Sequence, residues 1–131
     1  MKNLFILILF SLLGLLVSCN ANDDSNHSEH VNQLLKYQGS WNGTYFGEDT
    51  GEWEATIDDK GNAVGTINRA NSQTKYELKG AVNAEGKALM TYFMNGQAIG
   101  SMTGDMQETK ASGSWTNSIQ NLKGDWDGIK K

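Results

Sequence analysis

The sequence lacks proline altogether and contains one cysteine and two histidines. A single cysteine excludes an intramolecular disulfide. Both histidines, His27 and His30, precede the predicted folded region, which therefore has none to act as a base or zinc ligand. Basic residues form no run apart from Lys130-Lys131, and the formal net charge of −4 argues against a nucleic-acid partner. These absences predict a protein that is not an enzyme and holds no metal or other cofactor.

A largely apolar stretch occupies residues 4–17 and follows a single positive charge at Lys2. As a helix it would reach about 21 Å, short of the roughly 30 Å hydrocarbon core of a bilayer. These features are typical of a secretory signal peptide, which is removed from the mature protein. We therefore assign residues 1–18 to a signal peptide.

The apolar stretch ends in Leu16-Val17-Ser18-Cys19. This tetrapeptide resembles the lipobox of bacterial lipoproteins, in which a small residue precedes a cysteine. The resemblance implies cleavage between Ser18 and Cys19, attachment of a diacylglycerol to Cys19, and acylation of the new amino terminus. Several acyl chains on one residue anchor a protein stably, whereas one chain gives marginal binding. The expected membrane contact is therefore the lipid on Cys19.

Residues 20–25 form a polar stretch, NANDDS, with two adjacent acids. It resembles the acidic export signal that follows the lipidated cysteine in surface lipoproteins of some Gram-negative groups. That resemblance implies a protein on the cell surface, anchored in the outer membrane. Solvated linkers have the same composition, and with an ordinary linker the domain would face the periplasm. Residues 19–37 thus comprise the lipidated cysteine, a flexible acidic tether and a short helix.

The short helix is predicted at residues 28–36. Ser28 is a suitable N-cap, and Val31, Leu34 and Leu35 are expected to share one side of the helix. We expect that side to pack on one end of the folded domain.

Residues 38–131 form a single domain in which apolar and polar residues alternate with period two. Strand-like segments recur at intervals of about ten to twelve residues and are separated by turn sequences. Strands are predicted at residues 40–46, 52–58, 63–68, 75–82, 88–94, 98–106, 110–116 and 122–129. Eight short antiparallel strands with short connections favour an all-β, up-and-down barrel, which has no sheet edges. A β-sandwich is the alternative.

The strongest turn signal is Asn95-Gly96, between the fifth and sixth strands. A two-residue loop would turn the odd-numbered residues of the fifth strand inward. A three-residue loop would instead turn three even-numbered residues inward: Met90, Tyr92 and Met94. We favour the three-residue loop because it places Tyr92 opposite Gly100, where the missing side chain leaves space for the ring.

Two similar segments, GSWNG at residues 39–43 and GDWDG at residues 124–128, open and close the predicted barrel. A Gly-x-Trp near the first strand resembles the calycin-type barrels, which include lipocalins, avidins and small bacterial protease inhibitors. The resemblance implies the barrel architecture. The binding residues of avidins have no counterparts here, so it implies no ligand.

Six aromatic residues are expected inside the barrel, where they either line a pocket for a ring-bearing ligand or fill the core. These candidate ligand-binding residues are Trp41, Tyr45, Trp53, Tyr92, Trp115 and Trp126. Inward glycines would make room for the rings or leave a cavity.

Acidic residues cluster in two places. The first hairpin carries four carboxylates, which could serve glycosidic acid/base chemistry but are expected to form a solvated face: Glu48, Asp49, Glu52 and Glu54. Asp58, Asp59 and Asn62 could ligate calcium, but their spacing departs from the EF-hand pattern and favours an Asx-type turn.

Together these features predict an outer-membrane or cell-surface lipoprotein whose non-catalytic barrel binds an unidentified small ligand or protein partner. One alternative is an envelope-anchored protease inhibitor that uses the tether and one rim of the barrel. Another is a structural envelope component. Ligand binding predicts a deep apolar pocket, and inhibition predicts an ordered N-terminal segment that inserts into a protease.

Overall fold

The structure, a computed structural model, describes residues 32–131. The predicted signal peptide, the cleavage and lipidation site at Ser18 and Cys19, the acidic tether and both histidines lie outside the described residues. The same holds for Ser28 and Val31 of the predicted helix. Among residues 32–131, no helix is long and apolar enough to cross a membrane.

The described chain forms a closed barrel of eight antiparallel strands, which confirms the predicted fold class. The strands follow one another around the barrel, and the first pairs with the last. They are β1 (Gly39–Gly47), β2 (Gly51–Ile57), β3 (Asn62–Arg69), β4 (Lys75–Val82), β5 (Lys87–Met94), β6 (Gln97–Met106), β7 (Lys110–Asn117) and β8 (Leu122–Lys130). Closure pairs every strand on both sides, so the sheet has no free edge.

Period-two alternation determines which residues form the core. In β2, for example, Trp53, Ala55 and Ile57 are buried while the residues between them are exposed. Inward residues from all eight strands join in one hydrophobic cluster. Each predicted strand boundary lies within one residue of the observed one, because turn sequences punctuate the alternation.

The loop between β5 and β6 differs from the prediction. Met94 pairs with Gln97, so the loop contains only Asn95 and Gly96. Both loop residues have positive φ, 51° and 81° respectively, as a type I′ turn requires. The predicted three-residue loop is therefore wrong.

The predicted inward face of β5 is nevertheless correct. Tyr92 pairs with Gly100, as expected, whereas Phe93 pairs with Ala98. Ile99 is the extra residue between these two pairs, and this β-bulge shifts the register by one. The bulge thus reconciles a two-residue turn with the inward position of Tyr92.

The strands define two ends of the barrel. The end that receives the N-terminal segment, here called the proximal end, also holds the loops at residues 58–61, 83–86 and 107–109. The opposite end, here called the distal end, holds the loops at residues 48–50, 70–74, 95–96 and 118–121.

A single helical turn at residues 32–35 lies at the proximal end. Leu34 packs over Gly61, where an added Cβ would lie 3.0 Å from the Leu34 Cδ2 atom. Leu35 is 44% exposed, so the expectation that it faces the barrel is wrong. Adjacent residues of an α-helix point about 100° apart, so Leu35 does not share the direction of Leu34. Tyr37, the last residue of the predicted tether and helix segment, is buried, and its carbonyl accepts the Trp41 indole hydrogen bond at 2.8 Å.

Candidate functional site

The six candidate ligand-binding aromatic residues all lie in the core, with exposed fractions between 1% and 5%. Each tryptophan indole nitrogen donates a hydrogen bond to a backbone carbonyl, at 2.8 to 3.1 Å. The acceptors are Tyr37 for Trp41, Asp127 for Trp53, Phe46 for Trp115, and both Thr103 and Ser114 for Trp126. The indole N–H groups are thus satisfied within the barrel wall rather than held ready for a ligand.

Five of the six rings occupy space that a side chain on a glycine of another strand would need. The pairs are Tyr45 with Gly51, Tyr92 with Gly100, Trp126 with Gly104, Trp115 with Gly124, and Trp53 with Gly128. An eight-stranded barrel has an interior just wide enough for its own side chains. The inward glycines make room for the rings, and the rings fill the interior.

A small cavity of about 10 Å³ remains near the distal end, enough for about one water molecule. It is lined by Tyr45, Asp49, Ile67, Tyr76, Tyr92, Met102, Trp115 and Asn117. Three of the six candidate residues therefore meet at one cavity. The other three, Trp41, Trp53 and Trp126, do not line it.

Two phenol groups at this cavity differ in their hydrogen bonding. Tyr92 Oη donates to the carbonyl of Thr116 at 2.7 Å. Tyr45 Oη is buried and has no hydrogen-bond partner among the described residues. Burial, with smaller effects from Asp49 and Tyr76, raises the pKa of Tyr45 to about 12. Burial also raises the pKa of Tyr92, so both phenols are neutral donors at physiological pH.

An ion pair borders the same cavity. Arg69 Nε lies 3.1 Å from Asp49 Oδ2, and the Asp49 side chain is 17% exposed. Asp49 Oδ1 also accepts the backbone N–H of Thr50 at 2.9 Å. The carboxylate that lines the cavity is thus paired with a cation and held by its own loop.

Asn117 lines the cavity and shapes the loop between β7 and β8. Its Oδ1 atom accepts the backbone N–H groups of Ile119 and Gln120, at 3.0 and 2.9 Å. Ile119 is consequently fixed at the distal end with 59% of its surface exposed. Sequence reasoning missed Asn117 because it ended β7 one residue early. Extending the inward alternation of Trp115 by two residues identifies it.

The four carboxylates of the first hairpin do not converge. Glu48 Oε1 accepts the backbone N–H of Lys123 at 3.1 Å, and Asp49 faces the distal cavity. Glu52 and Glu54 are exposed on the outer face of β2. The four carboxylates therefore form two separate groups: Glu48 and Asp49 lie in the distal loop, and Glu52 and Glu54 lie on the outer wall of the barrel.

The turn at residues 58–62 is an Asx-type turn. Asp58 Oδ1 accepts the backbone N–H groups of Lys60 and Asn62, at 2.9 and 2.8 Å. These bonds, chiefly that from Asn62, lower the pKa of Asp58. Within residues 32–131, no three His, Cys, Asp or Glu side chains are arranged to hold a metal ion.

A shallow concavity of about 760 Å³ lies on the outer wall of the barrel. Its polar lining includes Glu52, Glu54, Asp127 and Lys110. Asn42 also lines it, and its Oδ1 atom is buried without a hydrogen-bond partner among the described residues. The ring of Trp53 borders this concavity but is only 2% exposed, so it offers no stacking face.

No protein-family model matches the sequence, and no curated protein matches it either. The resemblances to lipobox lipoproteins and calycin barrels therefore rest on the motifs in the sequence itself.

Proposed function

We propose that this protein is a lipid-anchored, non-catalytic binding protein of the bacterial outer membrane whose distal end contacts a protein partner. The observation that carries the proposal is the filled interior. Pockets for small organic ligands occupy roughly 300–1,000 Å³, whereas the cavity inside this barrel measures about 10 Å³. A barrel whose interior has no room for a small ligand can still bind a partner through its surface.

The position of the N-terminal segment favours the distal end as the binding surface. The described chain begins at residue 32, at the proximal end. Twelve residues lie between Cys19 and Asn32, and an extended chain spans at most about 45 Å from one to the other. With the lipid on Cys19 in the membrane, the tether joins the domain at its proximal end, which leaves the distal loops unobstructed by the tether. The distal end is then the part of the domain most accessible to a partner.

Two of the six large apolar residues that are exposed among residues 32–131 lie at or near the distal end. Ile119 is 59% exposed in a loop fixed by Asn117, and Phe46 is 44% exposed near the distal end of β1. The backbone at both residues is held, Ile119 by Asn117 and Phe46 within β1, so little backbone entropy is lost on binding. A partner could therefore bury them at low cost.

The two alternatives make different predictions. The protease-inhibitor hypothesis depends on the N-terminal segment, most of which lies outside the described residues, and it stays a prediction. A structural envelope component would need no partner-specific contact at Ile119. The partner experiment below separates that role from a binding role.

Site-specific photo-crosslinking tests the partner. A photoreactive phenylalanine analogue replaces Ile119 at the distal end or Leu89 on the outer face of β5, because the two residues are equally exposed, at 59% and 62%. We expect a discrete adduct at position 119 but not at position 89. The captured protein, once purified, should bind the wild-type protein directly and bind an Ile119→Asp variant more weakly. Equal adducts at both positions, or no direct binding, would contradict the proposal.

Membrane attachment has its own test. Cys19→Ala should release the protein from the membrane fraction, since the variant cannot carry the diacylglycerol. Protease treatment of intact cells carrying a tag after Lys131 then separates the two orientations. Loss of the tag, with a periplasmic control protein intact, supports surface display, whereas protection supports a periplasm-facing domain.

A further inference from the structure

The distal cavity contains one unsatisfied donor. Tyr45 is 5% exposed, and its hydroxyl has no hydrogen-bond partner among the described residues. A buried polar group without a partner is unfavourable, and native proteins keep few of them. The hydroxyl is therefore available to an acceptor from outside the described chain.

Three of the other polar residues that line the cavity are already engaged. Tyr92 donates to Thr116, and Asn117 Oδ1 accepts two backbone N–H groups. Asp49 Oδ1 accepts a backbone N–H, and the carboxylate is paired with Arg69. An incoming hydroxyl or amine would bring a donor of its own and find few open acceptors. A carbonyl oxygen only accepts hydrogen bonds, so it is a suitable partner for the Tyr45 hydroxyl.

The charge and the size of the cavity restrict the class of ligand further. An anionic ligand would be repelled by the Asp49 carboxylate, which lines the cavity. A cationic ligand would bring several donors, whereas the Asp49 carboxylate that lines the cavity is already paired with Arg69. The volume of about 10 Å³ admits about one small atom. The remainder of the ligand must then stay outside, over the distal loops.

We propose that the distal cavity receives the carbonyl oxygen of an uncharged peptide group from the protein partner, with the Tyr45 hydroxyl as its hydrogen-bond donor. This inference rests on the proposed function and specifies what the partner inserts. Ile67, Met102 and Trp115 supply apolar walls, which strengthen a hydrogen bond by excluding water. Asn117, which lines the cavity, also holds the backbone N–H of the exposed Ile119, so the loop that carries Ile119 adjoins the cavity.

A probe titration of the full-length mature protein in detergent micelles tests this site. The probe is N-methylacetamide, the smallest molecule that contains a peptide group. Two-dimensional NMR follows the Trp115 indole N–H and the Gly51 amide, because both residues contact or neighbour Tyr45. We expect saturable shifts with N-methylacetamide and weaker responses with acetate and methylammonium, which carry charges.

Two variants identify the donor. Tyr45→Phe removes the unpartnered hydroxyl, and we expect binding about fivefold weaker, the effect of losing one hydrogen bond. Tyr37→Phe is the matched control, since Tyr37 lies at the proximal end of the barrel beside Gly86, and the affinity of this variant should stay near that of the wild type. Equal affinities in both variants, tighter binding of acetate, or no saturable shift with any probe would overturn the assignment.

A longer probe identifies the source of the carbonyl. N-acetylglycine methylamide carries two peptide groups, and it should bind more tightly than N-methylacetamide if the rest of a chain contacts the rim. Equal or weaker binding would show that the site takes a small free amide and not a peptide group of a longer chain.

The experiments distinguish failure of this inference from failure of the proposed function. An unresponsive cavity with intact cross-linking at position 119 refutes this inference alone, whereas failed cross-linking refutes the protein partner.

Discussion

The ring of Trp53 packs edge-on against the ring of Trp126, with ring centroids 5.4 Å apart and ring planes at 87°. The two tryptophans come from β2 and β8, on either side of β1. Trp53 also fills the space beside Gly128, where an added Cβ would overlap its Cζ2 atom. The core of this barrel is thus built from large rings set against glycines.

Replacing Gly128 with alanine should destabilise the protein, because the added methyl group competes with the Trp53 ring for the same space. We expect the free energy of unfolding to fall by about 2 kcal/mol, the usual scale for overpacking a core. Urea denaturation followed by tryptophan fluorescence measures it. Ser112→Ala, an exposed substitution on β7, is the control and should change stability by less than about 0.5 kcal/mol. Equal effects would show that the Gly128 site is not crowded.

Removing the hydroxyl should stabilise the protein at Tyr45 and destabilise it at Tyr92. Tyr45→Phe removes a buried hydroxyl without a described partner and should raise the free energy of unfolding by about 1 kcal/mol. Tyr92→Phe loses the bond to the Thr116 carbonyl and should lower it by about 1 kcal/mol. The same urea experiment compares them. A loss of stability in Tyr45→Phe would mean that its hydroxyl is already satisfied in the free protein.

Stability should fall in alkaline solution, in part through Tyr45. Burial raises the pKa of Tyr45 from its ordinary 10.0 to about 12, so the unfolded chain loses this proton first. The stability that the neutral phenol contributes is therefore complete below pH 10 and is lost as the pH rises to 12. Unfolding free energies measured across that range should decline less steeply in Tyr45→Phe than in the wild type. Parallel declines would contradict the raised pKa.

The turn between β5 and β6 should tolerate asparagine better than alanine at Gly96. Gly96 has a φ of 81°, and an added Cβ would have no atom within 4 Å, so backbone strain alone sets the cost. We expect Gly96→Ala to reduce stability by about 1 kcal/mol. Gly96→Asn should cost less, because asparagine adopts positive φ more readily. Thermal unfolding of the two variants checks the order, and a reversed order would contradict the type I′ turn.

Much of the candidate site was predictable residue by residue. Alternation identified Tyr45, Tyr92 and Trp115 as inward residues, and all three line the distal cavity. Asp49 could not be placed there from the sequence, since it lies in a loop, where no alternation indicates direction. Its pairing with Arg69, twenty residues later, depends on how β1, β2 and β3 end together.

The local sequence determined the eight strands, their inward faces and the antiparallel order, because period-two alternation and turn residues act over a few neighbouring positions. Only the tertiary structure decided that the rings fill the barrel and that the Ile99 bulge corrects the register of β6. The closed barrel brings rings and glycines from non-adjacent strands together, and their fit depends on the width of the whole interior. The cavity beside Tyr45 arises from the same closure, since the residues that line it come from strands far apart in the chain.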